Sequence, residues 1–141
     1  MRKTQARKSS NDMPRHVMVV EDDAVLGMDI EQILRAAGVE EVSICATAAC
    51  TLEQLREQRP DAMIIDVHLA DIDEGWGIAE MVDVVGGKPP QIIFQTGTPQ
   101  DIPENVAKLG TVLAKPYAPE ELIGLLRGKR KTGFLAALRR D

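Results

Sequence analysis

The chain is predicted to fold as an α/β protein, a doubly wound five-stranded parallel sheet with helices on both faces. Three observations predict it. Short apolar runs alternate five times with helix-periodic segments, the connections between them are brief, and the runs are apolar at consecutive rather than alternate positions. A strand covered on both faces reads as a continuous apolar run, and parallel neighbours need a crossover, most often a helix. The 141 residues suit one domain, and with only 3% aromatics the core must be built from Val, Ile, Leu, Ala and Met.

In chain order, residues 1–15 (Arg2, Lys3, Lys8, Ser9, Ser10) read as a disordered basic lead-in. His16–Val20 is the first strand. Ala24–Ala37 is a helix with Val25, Leu26, Ile30, Ile33 and Leu34 assigned to one face, and Gly38 stands where a helix C-terminal stop belongs. Val42–Ala46 is the second strand, and Ala48–Gln58 a helix closed by Pro60. Ala62–Ile65 is the third strand, followed by a polar loop and a helix over Gly75–Val85. Gly86-Gly87-Lys88-Pro89-Pro90 breaks the chain before strand Gln91–Phe94. A short helix near Pro103–Leu109, strand Val112–Ala114 and helix Pro119–Arg127 complete the alternation. The domain is thus expected over 16–127. Residues 128–141 form a basic C-terminal tail with room for one short amphipathic helix near Phe134–Arg140.

The net charge of −5 conceals an asymmetry. The two ends together carry eleven Lys/Arg and two acids, leaving six basic and twenty acidic side chains between them, a net near −14. Such a body repels nucleic acid and suits a site that holds a cation. The apolar stretch Val17–Val20 ends at once in Glu21-Asp22-Asp23, so neither an export segment nor a membrane span is expected. Cys45 and Cys50 are too few and too close for a disulfide framework, and a reduced, cytoplasmic setting is expected.

In open parallel sheets function gathers at the carboxyl ends of the strands. There the sequence places Glu21-Asp22-Asp23 after strand one, Asp66 after strand three, Thr96-Gly97 after strand four and Lys115-Pro116 after strand five. Singly, each has a dull explanation: Asp22 or Asp23 as a helix cap, Asp66 as a turn former, Lys115 as a surface lysine. Together they bring three carboxylates, a hydroxyl and an ammonium to one sheet edge. Clustered carboxylates repel unless a cation is present, and an all-oxygen set suits Mg²⁺. Phosphoryl transfer onto a carboxylate needs charge neutralisation and positioning, which the ion, Lys115 and Thr96 could supply, with Asp66 as nucleophile.

On the stretches Val19-Val20-Glu21-Asp22, Ile64-Ile65-Asp66, Thr96-Gly97 and Lys115-Pro116-Tyr117, the chain resembles response-regulator receiver domains, over roughly 16–127. The resemblance implies a flavodoxin-like, CheY-like fold and a two-component phosphorelay. Asp66 would be phosphoacceptor and metal ligand, Asp22 a direct Mg²⁺ ligand, Glu21 an assisting one, and the His68 backbone carbonyl the last protein contribution. Thr96 would be the switch hydroxyl and Lys115 the phosphate-binding lysine, with a cis Lys115–Pro116 bond. A sensor histidine kinase or histidine phosphotransfer protein would donate the phosphoryl group, making the protein a phosphoacceptor rather than a turnover enzyme. A monomer and a homodimer are both compatible.

Two departures stand out: Ala70 replaces the family's usual proline, and Val112 its usual aromatic. Phe94-Gln95-Thr96-Gly97 is similar to a receiver subclass with a Phe-x-Thr-Gly motif, in which the following loop and fourth helix carry the signal. The His68 side chain is expected to overhang the acyl phosphate, and Trp76 to pack at the start of the third helix. No output domain is expected after the fifth helix, so the phosphorylated surface would itself dock a partner or pass phosphate onward. Two alternatives are a receiver-like binding module that is never phosphorylated and, more remotely, a small aspartyl-phosphate phosphohydrolase. The latter usually has a second Asp two residues after the nucleophile, where this chain has His68.

Overall fold

The structure, a computed structural model, describes residues 12–68, 77–78, 82 and 86–128. Strands β1 (His16–Val20), β2 (Glu41–Cys45), β3 (Ala62–Asp66), β4 (Gln91–Thr96) and β5 (Thr111–Ala114) form one sheet in the order β2-β1-β3-β4-β5. Every neighbouring pair is parallel. The chain steps outward from β1 to β2 and then returns past β1 to β3, so strand order reverses between β1 and β3. All residues of β1 and β3 are buried, whereas the edge strands β2 and β5 are partly exposed. That is why β2 tolerates Glu41 and Ser43 while β1 and β3 read as unbroken apolar runs.

Helices α1 (Ala24–Ala36), α2 (Ala48–Glu57), α3 (Glu104–Ala107) and α4 (119–128) cover the two faces, together with the helical residues Gly77, Ile78 and Val82. Alternate strand residues divide the core accordingly. Met18, Val20, Met63, Ile65 and Phe94 pack with Leu55, Ile78, Val82 and Val106. Val17, Val19, Ile64 and Ile93 pack on the opposite face with Ile30, Leu34, Leu122 and Leu126. The predicted doubly wound architecture is the observed one.

The structure corrects several details. Asp23 caps α1, its Oδ1 accepting from the Val25 and Leu26 amides at 3.0 and 3.2 Å. The buried face of α1 is Gly27, Ile30 and Leu34, not a stripe including Val25, which is 74% exposed. At 3.6 residues per turn Val25 lies about 140° round the helix from Ile30, too far to share its face. Residues 12–15 belong to the packed body rather than the lead-in: Met13 is buried, and Asp12 Oδ1 accepts from Arg127 Nε at 2.9 Å. Strand β4 continues two residues past Phe94, through Thr96.

Cys45 and Cys50 are joined as a disulfide, so the pair gives no support to a reduced setting. The chain turns from the end of β2 into the first turn of α2 and brings the two Cα atoms to 5.5 Å, within bridging range despite the short separation. Ala70, Trp76, most of the Gly75–Val85 helix and the tail beyond 128 lie outside the described residues. Among the described residues no helix is long and apolar enough to cross a membrane.

Candidate functional site

Parallel register carries the expected residues to one edge. Val20 lies opposite Ile65, Asp66 opposite Gln95 and Thr96 opposite Ala114, so the chain just past β1 and β5 meets the last residues of β3 and β4. Glu21, Asp22 and Asp66 each present a carboxylate oxygen within 4.8 Å of the others. Asp66 is 6% exposed, Glu21 is buried and Asp22 is open to solvent. Lys115 Nζ stands 3.6 Å from Asp66 Oδ2, and its backbone N–H donates to the Thr96 carbonyl at 2.8 Å. The Lys115–Pro116 bond is cis, as the resemblance implies. The carboxylates of Glu21, Asp22 and Asp66 and the ammonium of Lys115 therefore converge, Thr96 ends the neighbouring strand at the same edge, and Asp23 is the helix cap.

Thr96 is buried, and its Oγ1 accepts from the Thr98 amide at 3.0 Å. The His68 amide donates to Asp66 Oδ1 at 3.1 Å, which orients the carboxylate. The exposed His68 ring places Nε2 3.4 Å from Thr98 Oγ1. Thr98 thus touches both Thr96 and His68, a link that sequence reasoning missed. Phe94 lies opposite Val112, which is partly buried against the core, so the position expected to lack an aromatic is filled by packing.

Electrostatically the cluster is built for a cation. Burial pushes the Glu21 carboxyl up to about 7, and the charge of Asp66 adds to the rise, against the opposing pull of the Asp23 amide and Lys115. Crowded, desolvated carboxylates hold their negative charge at a cost that a bound hard cation removes, and all three donors are oxygen. The residues present therefore fit a divalent ion of the Mg²⁺ kind.

Gln95 and Tyr117 stand within the motif stretches quoted above, but the sequence assigns neither a role. Gln95 is 1% exposed, and its Nε2 donates to Glu21 Oε1 at 3.2 Å. The Tyr117 hydroxyl donates to Gln95 Oε1 at 2.6 Å. Burial, followed by the charge of Glu21, pushes the Tyr117 hydroxyl up to about 12, so it stays protonated and able to donate. The signal was present: a polar residue within the otherwise apolar run Ile92-Ile93-Phe94-Gln95. Beside this chain of contacts a cavity of about 600 Å³ opens between α1 and the segment after β5, lined by Leu26, Ile30, Ile33, Tyr117 and Pro119.

Comparison with known proteins agrees with the geometry. The response regulator receiver domain family matches residues 17–127. The transcriptional regulatory protein PdtaR of Mycobacterium tuberculosis is 29% identical over 114 residues, covering 79% of this chain and 54% of its own length. The chain spans about half the length of the curated relatives it matches. A CheY-like receiver domain from Methylobacillus flagellatus superposes with a TM-score of 0.74 at 19% identity, covering 81% of this chain and 97% of that one. The receiver domain of sensor histidine kinase PA1611 from Pseudomonas aeruginosa, solved with magnesium coordinated in its active site cleft, gives a TM-score of 0.68 at 27% identity, covering 81% and 98%. A match across most of the chain, on a sheet whose carboxyl edge gathers three acids, a threonine and a lysine, places this protein in the response regulator receiver domain family.

Proposed function

We propose that the domain accepts a phosphoryl group on Asp66 from a phosphohistidine donor, in a Mg²⁺-dependent reaction, and signals through the surface that the modification alters. The observation that carries this reading is the convergence of Glu21, Asp22 and Asp66 within 4.8 Å, with Lys115 Nζ 3.6 Å from Asp66 Oδ2. Glu21, Asp22 and Asp66 would hold the ion, with the His68 carbonyl contributing. Bound there, Mg²⁺ would neutralise charge on the phosphoryl oxygens. The presence of magnesium in the cleft of the Pseudomonas aeruginosa receiver supports this choice of ion.

Asp66 is positioned as nucleophile by the His68 amide on Oδ1, which leaves Oδ2, on the Lys115 side, to attack. In transfer, Asp66 oxygen forms a bond to phosphorus as the phosphorus–nitrogen bond to the donor histidine breaks, and the imidazole leaves with the electron pair. Lys115 then exchanges its carboxylate partner for a phosphoryl oxygen. Thr96 turns its hydroxyl from Thr98 to donate to another. Releasing Thr98 frees the segment that follows, a 3-10 turn (Pro99–Asp101) and the single-turn α3, held to the core by Ile102 and Val106. With Val112 beside Phe94 and no aromatic to swing, this segment is the element we assign to the output, in keeping with the Phe-x-Thr-Gly subclass. Its partner would be the donor's relay or a downstream protein.

Borohydride reduces an acyl phosphate to an alcohol. Incubation with acetyl phosphate and Mg²⁺, reduction, and peptide mapping should show homoserine in place of aspartate at position 66. Reduction at another carboxylate, with position 66 intact, would refute the assignment.

A further inference from the structure

We infer that Gln95, held by Tyr117, is a positioning residue for the cation site. This inference rests on the functional reading above and concerns how that site is kept in shape. Gln95 lies within β4, on the face that buries Ile93, opposite Asp66 on one side and Leu113 on the other. An apolar residue would suit that place, and a buried amide is costly unless each of its groups is paired. Here both ends are paired. The amide orientation follows from chemistry: in the ionised form that would hold a cation, the Glu21 carboxylate can only accept, so the nitrogen faces it, and the carbonyl faces the Tyr117 hydroxyl.

The consequence lies at Glu21. Its Oε1 accepts from Gln95 at 3.2 Å and its Oε2 from the Asp23 amide at 3.1 Å. One donor on each oxygen restricts rotation of the carboxylate and leaves lone pairs free, and a Glu21 oxygen lies within 4.8 Å of oxygens of Asp22 and Asp66. The Asp23 contact is backbone and is determined by the helix cap. The Gln95 contact comes from a side chain, and Tyr117, on the wall of the adjoining cavity, fixes it in turn. Glu21 is thus connected across the sheet edge to the segment after β5 through two hydrogen bonds. Partners of metal-binding carboxylates set affinity through this kind of orientation, and their loss commonly costs tenfold or more.

The test is a calorimetric Mg²⁺ titration of the full chain without any phosphodonor, on wild type, Gln95→Met, Tyr117→Phe and the double variant, each first shown folded by circular dichroism. Met fills the glutamine volume and offers no amide. Gln95→Met should weaken Mg²⁺ binding roughly tenfold. Tyr117→Phe should weaken it about threefold, since it removes one hydrogen bond from a residue that keeps its place. The double variant should match Gln95→Met alone, because Tyr117 acts through Gln95. Wild-type affinity in a folded Gln95→Met would overturn the inference while leaving the functional reading standing, as would independent, multiplying losses in the double variant. Should Gln95→Met fail to fold, the folded Tyr117→Phe decides: unchanged affinity there overturns the inference. Absence of Mg²⁺ binding in wild type would overturn the functional reading and this inference together.

Discussion

Replacing Glu21 by glutamine should stabilise the metal-free protein at pH 8 and destabilise it slightly at pH 4.5. Glu21 is 2% exposed and its carboxyl is pushed from an ordinary 4.5 to about 7, first by burial and then by Asp66. Below 4.5 both folded and unfolded chains hold the proton, and the group costs nothing. Between 4.5 and 7 the unfolded chain releases it while the folded chain retains it, so stability falls as pH rises, and above 7 the loss is complete. The rise corresponds to about 3 kcal/mol. Glutamine never ionises, but its NH₂ must face one of the two donors, Gln95 Nε2 or the Asp23 amide, a mismatch worth about 1 kcal/mol at every pH. The variant should therefore be more stable than wild type by roughly 2 kcal/mol at pH 8 and less stable by about 1 kcal/mol at pH 4.5. Urea unfolding in the presence of a chelator measures both differences. A difference of the same sign and size at the two pH values would refute the reasoning. Saturating Mg²⁺ should reverse the order at pH 8, since the ion stabilises only the form that binds it.

Two further perturbations follow from the same geometry. A side chain at Gly110 would run into the carbonyl oxygen and carbon of Ile92, backbone that the β4–β5 pairing holds in place. Gly110→Ala should therefore cost about 2 kcal/mol in a urea titration, and wild-type stability would contradict the packing described. On the proposed function, the exposed His68 ring, with Nε2 3.4 Å from Thr98 Oγ1, would overhang an acyl phosphate on Asp66. His68→Ala should shorten the life of that phosphate about threefold, followed by the decay of the phosphorylated mass, and an unchanged half-life would remove the side chain from the reaction.

The fold was legible because its strongest signals are local. Continuous apolar runs at 17–20, 62–65 and 92–94, each too short for a helix and alternating with helix-periodic segments, read as strands covered on both faces with parallel crossovers. The site was legible because each of its side chains stands at a strand's end, where chain order alone sends it to one edge. Contacts between residues far apart in sequence were not legible. The apolar run bounds the fourth strand at Phe94 and gives Gln95 no role, yet β4 continues and buries it between Glu21 and Tyr117. Val25 was placed on the buried face of α1 by hydrophobicity, although its helical angle turns it to solvent. The Cys45–Cys50 pairing depends on a turn whose shape the spacing does not dictate. Met13 sits in a basic, polar stretch, and its burial comes from packing against elements distant in sequence.

Phosphorylation of Asp66 is the central claim, and intact mass tests it most directly. Wild type and Asp66→Asn are incubated with acetyl phosphate, each with Mg²⁺ and with a chelator. A single phosphoryl adduct should form on wild type with Mg²⁺ and be absent from the other three samples. An adduct that persists in Asp66→Asn, or that forms equally well without the ion, would contradict the assignment of Asp66 and of the acidic cluster that surrounds it.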